Sequence, residues 1–379
     1  MISYERVIAE INLDNIAYNM KNIRNYVNKN TQIMAIVKAD GYGHGAVEIA
    51  KTALYNGAIY LGVAIIDEAI ELRKNNILEP ILILGNTIEH KLLEVIKYNI
   101  TQTIFSYKMA KKLSDEASKI KKTVDIHIKI DSGMGRLGFL PIDSSVDEIL
   151  KIKDLPYINI TGIFTHFATS DMEDKTFSNE QFNKYKYIVD KLEEKGVNNL
   201  IKHISNSGAI LDLKDYNLDM VRAGIILYGM YPSNEVLKNI KLKPAMSIKT
   251  YISYIKEIEP NNSVSYCRTY FTNKKTKIAT IPVGYADGYA RCLSNKARVF
   301  VNGYYSNVIG NICMDQFMID VSHIPNIKEG DSVILMGEQV NAEELASLQN
   351  TINYEVVCNI GKRVPRVYIK NNQFLKIKK

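Results

Sequence analysis

The densest set of reactive and shape-setting residues is Ala35-Ile36-Val37-Lys38-Ala39-Asp40-Gly41-Tyr42-Gly43-His44-Gly45. Residues 32–37 read as an apolar strand, so Lys38 emerges from hydrophobic surroundings at its end. Lost hydration disfavours an ammonium, and a neutral amine is what an imine with an aldehyde cofactor requires. The glycines that follow let the backbone turn tightly, and the Tyr42 hydroxyl is close enough along the chain to reach a phosphate. A plain lysine at a strand end fits the same spacing, and the spacing alone does not separate the two.

A second strand runs into Lys129-Ile130-Asp131-Ser132-Gly133-Met134-Gly135-Arg136-Leu137-Gly138, which contains a literal GxGxxG. A dinucleotide site needs a helix to open at those glycines. Phe139-Leu140-Pro141 follows instead, with no helix expected before about residue 144. The loop is better suited to presenting the planar fork of Arg136 to a carboxylate. Thr165-His166-Phe167 closes a third strand, although a lone histidine is more often structural than catalytic. Ser205-Asn206-Ser207-Gly208 and Arg222-Ala223-Gly224-Ile225 end two later strands, where small hydroxyls and backbone amides form a ready phosphate cradle or simple turns. Val264-Ser265-Tyr266-Cys267-Arg268, Tyr285 with Asp287, Asn311-Ile312-Cys313-Met314-Asp315 and Tyr354 are polar-aromatic interruptions in the second half.

The elements that carry these residues alternate. Strands are expected near 32–37, 60–64, 80–85, 123–130, 158–164 and 201–205, with helical stretches between them, including 46–55, 67–74 (capped by Asp67), 89–98 and 180–195. About eight strand–helix units imply a closed parallel barrel, whose chemistry gathers at the C-terminal ends of the strands. After Pro232 helical periodicity fades and β-rich segments follow, at 246–258, 277–283, 297–301, 308–312, 317–321 and 331–336, with an Asn302-Gly303 turn. The fold class is therefore α/β, a (β/α)8 TIM barrel over 12–232 with a second, mostly β domain over 233–379, joined by residues 1–11.

The chain has 379 residues, 46% hydrophobic and 23% charged, ordinary values for a globular protein. The net charge of +7 comes from dispersed lysines without interleaved aromatics, which excludes nucleic acid as the expected partner. The N-terminus has neither a basic start nor an apolar run, and no stretch approaches membrane-spanning length, so a cytoplasmic protein without a membrane partner is expected. The four cysteines form no CxxC pair and the six histidines have no metal-ligand spacing, so neither disulfides nor a metal is expected.

Taken in order, these segments resemble the alanine racemase family from end to end, with the cofactor-attachment signature around Lys38 matched at nearly every position. The resemblance implies pyridoxal 5′-phosphate held by Lys38 and interconversion of L- and D-alanine, with Lys38 and Tyr266 as the catalytic acid/base pair on opposite faces of the substrate. It implies a homodimer in which Tyr266 and Met314 serve the partner's site. Arg222 resembles the residue facing the pyridine nitrogen, with His166 behind it. Tyr42, Ser207, Gly224, Ile225 and Tyr354 resemble the phosphate holders, Arg136 and Met314 the carboxylate grip, and Tyr285 and Asp171 part of the access passage. Lys129 falls where some members carry a carbamate. Asn311 departs from the pattern, since many members place arginine there. D-Alanine supply for cell wall peptidoglycan is the expected use.

Three other readings compete: an amino-acid decarboxylase on the same plan, a cofactor-holding barrel without turnover, and a lysine-imine aldolase. A racemase with broader tolerance, serine included, is a variant of the first reading. Arg222 opposes the decarboxylase, which would be expected to set an acid against the pyridine nitrogen. The residues after 232 oppose a bare barrel, and an aldolase has no use for a phosphate cradle.

Overall fold

The computed structural model describes residues 5–378. The chain forms two compact units, one of Ile16–Gly41 with Ala46–Lys243, the other of the chain's start up to Asn15, Tyr42–Gly45 and everything from Pro244 onward. Among the described residues no helix is long and apolar enough to cross a membrane.

The chain's first strand, β1 (Val7–Asn12), belongs to the second unit. The first unit is built on β2 (Gln32–Ile36), β3 (Tyr60–Val63), β4 (Ile81–Ile83), β5 (Thr101–Ile104), β6 (Val124–Lys129), β7 (Ile158–Phe164), β8 (Ile201–His203) and β9 (Met220–Ala223). They pair in parallel in the order β8-β7-β6-β5-β4-β3-β2-β9. The two outer strands meet as well: Asp219 N–H donates to the Lys202 carbonyl at 3.1 Å and Arg222 N–H to the Ser205 carbonyl at 3.0 Å. The eight strands therefore run round a nearly closed barrel. Strands β3, β4 and β5 are buried at every residue, because a parallel strand in this setting is covered on both faces.

Helices on one apolar stripe each fill the connections, among them Ala46–Tyr55, Tyr107–Ile120, Asp143–Lys153 and Thr176–Glu194. The helix expected at 67–74 spans Ile66–Lys74, and Asp67 does not cap it. Asp67 faces Lys91 on the surface, while Glu68 in the first turn bonds the amides that precede the helix.

The second unit holds a ten-stranded sheet. Its spatial order is Tyr254–Ile258, Thr276–Ile281, Phe317–Asp320, Tyr304–Ile309, Arg298–Val301, Ser332–Met336, Met246–Tyr251, β1, Arg366–Lys370, Gln373–Lys378. Every pairing is antiparallel except β1 with Arg366–Lys370. Asn302 and Gly303, at φ 50° and 87°, make the expected two-residue hairpin between Val301 and Tyr304. The single segment expected at 246–258 is two strands. The chain changes neighbours at Ile252–Ser253, whose amides donate to Asp331 and Thr280 respectively.

Candidate active site

Lys38 stands two residues past β2, half-buried. Directly after it the backbone winds the wrong way: Ala39 (φ 52°, ψ 50°), Asp40 (50°, 48°) and Gly41 (62°, 45°), with Tyr42 also at φ 52°. Left-handed turns cost about 1–2 kcal/mol per L-residue, so this one persists only where other contacts fix it. Gly41 N–H donates to the Val37 carbonyl at 2.9 Å, and the Asp40 carboxylate accepts from Ala46 N–H at 2.9 Å, opening the next helix. A Cβ on Gly41 would sit 3.2 Å from the Ala46 backbone, which is why a glycine stands there. Glu68 Oε1 accepts from Ala39 N–H at 2.6 Å.

Arg222, on β9, is 3% exposed and organises the barrel's polar interior. Its Nη1 donates to His203 Nδ1 at 3.0 Å and to the His203 carbonyl at 2.8 Å. Its Nη2 reaches the Thr165 carbonyl, His166 Nδ1 (3.0 Å) and the Ile204 carbonyl. Beyond it, His203 Nε2 lies 2.9 Å from His127 Nδ1. Among the described residues no carboxylate pairs with this guanidinium. Burial draws it down to about 9, still cationic at neutral pH. His166 is held well below its ordinary value by burial first, then by Arg222, Lys129, Arg136 and Lys38. The fold thus gathers four basic residues, from the ends of β2, β6 and β9, around one imidazole.

Lys129, the last residue of β6, is buried with Nζ on the Ile130 carbonyl (3.0 Å) and 5.2 Å above the Phe164 ring. Burial, then Arg222, pulls its amine down to about 7, against the opposing pull of Asp131. The loop after it is shaped by a residue to which the sequence reading gave no role. Asp131 accepts from the amides of Gly133, Gly135 and Arg136 at 3.0–3.1 Å, leaving the Arg136 side chain exposed. After β8, Ser207 Oγ accepts from Gly224 N–H at 3.1 Å, and both residues are buried, as is Ile225. Asp171 is half-buried, its carbonyl bonded by Ser233.

The remaining candidates lie in the second unit. Tyr42 is buried with its ring 5.9 Å from that of Tyr354, and burial pushes its phenol well up, so the hydroxyl stays a neutral donor. Tyr266 is 69% exposed between residues in left-handed conformations, Ser265 (φ 67°), Cys267 (61°) and Arg268 (52°). Asn311 brackets this strained loop. Its side chain donates to the Tyr266 carbonyl at 2.7 Å, and its own carbonyl accepts from the Ser265 hydroxyl at 2.5 Å. Met314 is exposed beside the Tyr285 turn, with Tyr285 N–H on the Cys313 carbonyl (3.0 Å) and Ala286 N–H on the Met314 carbonyl (3.1 Å). Beneath that turn, Asp287 accepts from Arg6, from Arg363 and from Gly284 N–H.

A parallel barrel with an amine at one strand end and, at another, a guanidinium held by imidazoles and carbonyls and no described carboxylate has the makings of an isomerase that works through pyridoxal phosphate. The donor chemistry fits that group. Arg222 offers only N–H donors, which suits an unprotonated ring nitrogen, while Ser207 and the neutral Tyr42 phenol suit a phosphate. Two family descriptions, alanine racemase N-terminal domain and alanine racemase C-terminal domain, match residues 11–232 and 245–368. Alanine racemase of Clostridium perfringens is 52% identical over 98% of this chain and 97% of its own. Alanine racemase of Clostridium difficile 630 superposes with a TM-score of 0.97 at 47% identity, covering 99% and 98% of the two chains. The Bartonella henselae enzyme, solved with covalently bound pyridoxal phosphate, superposes at 0.87 with 29% identity over 96% and 100%. The chain belongs to the alanine racemase family. It is an isomerase that interconverts L- and D-alanine, and its cofactor is pyridoxal 5′-phosphate.

Proposed function

We propose that the interconversion proceeds by a two-base route in which Lys38 Nζ exchanges the α-proton of alanine on one face and the Tyr266 hydroxyl exchanges it on the other. When bound, pyridoxal phosphate supplies the electron-withdrawing ring that lets that proton leave. Lys38 holds the cofactor. Arg222, steadied by His166, faces the ring without delivering a proton, which favours proton exchange over transamination. Tyr42, Ser207, Gly224, Ile225 and Tyr354 hold the phosphate, and Arg136 with the Met314 backbone grips the substrate carboxylate. Tyr285 and Asp171 line the access passage. Lys129, with an amine poised near 7, is set up to take a carbamate.

The barrel, residues 12–232, carries the cofactor, and residues 233–379 with 1–11 serve a partner chain in a cytoplasmic homodimer that supplies D-alanine for peptidoglycan. One observation supports the two-base reading above the rest: Tyr266 is held outward on a backbone strained at three positions and bracketed by Asn311. A phenol that merely packed would need no such presentation. Incubating L-alanine in heavy water is expected to give D-alanine labelled at the α-carbon. Tyr266→Phe is expected to slow proton abstraction from one enantiomer by about 10²-fold or more over the other, on the scale of a lost acid/base group. Equal losses for both enantiomers would refute the assignment.

A further inference from the structure

We infer that Glu68 is the positioning residue for Lys38, holding in place the left-handed turn that starts immediately after it. The inference rests on the reading of Lys38 as the cofactor lysine. A glutamate in the first turn of a helix ordinarily reaches back to the amides that precede it. Glu68 does this with Oε2, which accepts from Ala64 N–H at 2.7 Å and Ile65 N–H at 3.4 Å, at the end of β3. Its other oxygen goes elsewhere. Oε1 crosses to the neighbouring strand end and accepts from Ala39 N–H at 2.6 Å. One carboxylate therefore ties the C-terminal ends of β2 and β3 together at the peptide that carries Lys38 into the turn.

Ala39 is exposed, so packing does not fix it, and its φ of 52° is one that an alanine leaves unless restrained. The Gly41–Val37 bond and the Asp40–Ala46 bond restrain the far side of the turn. Glu68 restrains the near side, where a small rotation of the Lys38–Ala39 peptide would swing Nζ by far more than the rotation itself. Misplacement by about 1 Å costs a reaction about 10²-fold.

The test uses the holoenzyme with Glu68→Ala, Glu68→Gln and Glu68→Asp. Hydrogen exchange at the Ala39 amide, followed by mass spectrometry of peptides spanning residues 37–42, is expected to speed up about ten-fold or more in Glu68→Ala. The same variant is expected to lose about ten-fold or more in kcat with the KM for L-alanine within about two-fold. Glu68→Asp, too short to span both strand ends, is expected to follow Glu68→Ala, whereas Glu68→Gln, which keeps the length and one acceptor oxygen, falls between it and the wild type. A folded Glu68→Ala whose exchange and kcat both stay within two-fold of wild type overturns the proposal. Should that variant not fold, Glu68→Gln decides by the same two readings. Borohydride fixation of the cofactor in the wild type separates the two levels: fixation away from Lys38 removes the underlying reading, while the exchange rates still report whether Glu68 holds the turn.

Discussion

Nη1 of Arg222 lies 3.0 Å from Nδ1 of His203, and because a guanidinium only donates, this contact sets the protonation of two histidines at once. His203 Nδ1 must accept, so its proton sits on Nε2, which then donates to His127 Nδ1 at 2.9 Å. His127 in turn keeps its proton on Nε2. Burial and the nearby positive charge hold His127 down to about 3, and His203 well below its ordinary value. We expect nitrogen NMR to find both imidazoles neutral, as Nε2–H tautomers, at every pH from 5 to 9. A titration of either ring near the ordinary 6.5 would break this account.

Asp287 makes a second expectation concrete. Burial pushes its carboxyl up, but bonds from Arg6, Gly284 N–H and Arg363 outweigh that and hold it below its usual value. A carboxylate depressed in the folded state adds stability that is complete above the unfolded value of about 3.9 and is lost as pH falls through the folded one. Asp287→Asn is expected to cost about 1 kcal/mol or somewhat more at pH 7. Asp287 is buried, but both arginines are partly solvated and keep other acceptors, Arg363 the Asp315 carboxylate and Arg6 the Pro282 carbonyl. Urea titrations should show that gap unchanged down to about pH 4 and narrowing below it. A gap that widens in acid would mean the sign is wrong.

Lys129 behaves oppositely. Its amine sits at about 7 in the fold against about 10.4 in an unfolded chain, so the unfolded state binds more protons between those values. Stability should therefore rise with pH across that window, and the penalty should be fully present below it. Lys129→Met is expected to be more stable than wild type at pH 6, with the advantage shrinking toward pH 10. An advantage that does not depend on pH would show that the amine is not the titrating group.

Shared sites can be tested by mixing. Lys38→Ala chains and Tyr266→Phe chains are each expected to be nearly inactive, yet subunit exchange between them should restore activity. If Tyr266 serves the partner, a mixed dimer carries one site with both residues intact. No recovery after exchange, with mixed dimers demonstrated by mass spectrometry, would place Tyr266 in its own chain's site.

Much of this was legible in the residues, because strand ends and glycine loops are local signals. Lys38 and the loop from Lys129 to Gly138 stood out as polar groups emerging from apolar runs, while the roles expected of Lys129 and Arg222 came from the family resemblance. The partners that fix them did not. His127 and His203 are 76 residues apart, and Glu68 and Ala39 are 29 apart, so nothing in either neighbourhood points to the other. Asp67 was the more obvious helix cap, yet the longer side chain of Glu68 reaches the amides of Ala64, Ile65 and Ala39. Residues 246–258 read as one β-rich segment, since a change of neighbours at Ile252 leaves no mark on periodicity. Asn311 stood out only as a departure from the family pattern, where many members place arginine. Its neutral amide serves the Tyr266 carbonyl, a contact that depends on a donor with a short reach.

Strand β1 has one more implication, which concerns synthesis. Its two sheet neighbours, Met246–Tyr251 and Arg366–Lys370, are translated long after it, once the whole barrel has been made. At about 5–20 residues per second it waits roughly 10–50 s for the first of them. Throughout that interval an alternating apolar ribbon is without its hydrogen-bonding mates while the barrel is being synthesised. The nascent chain therefore has a built-in period of exposure, and chaperone demand should peak before the last third of the message is read.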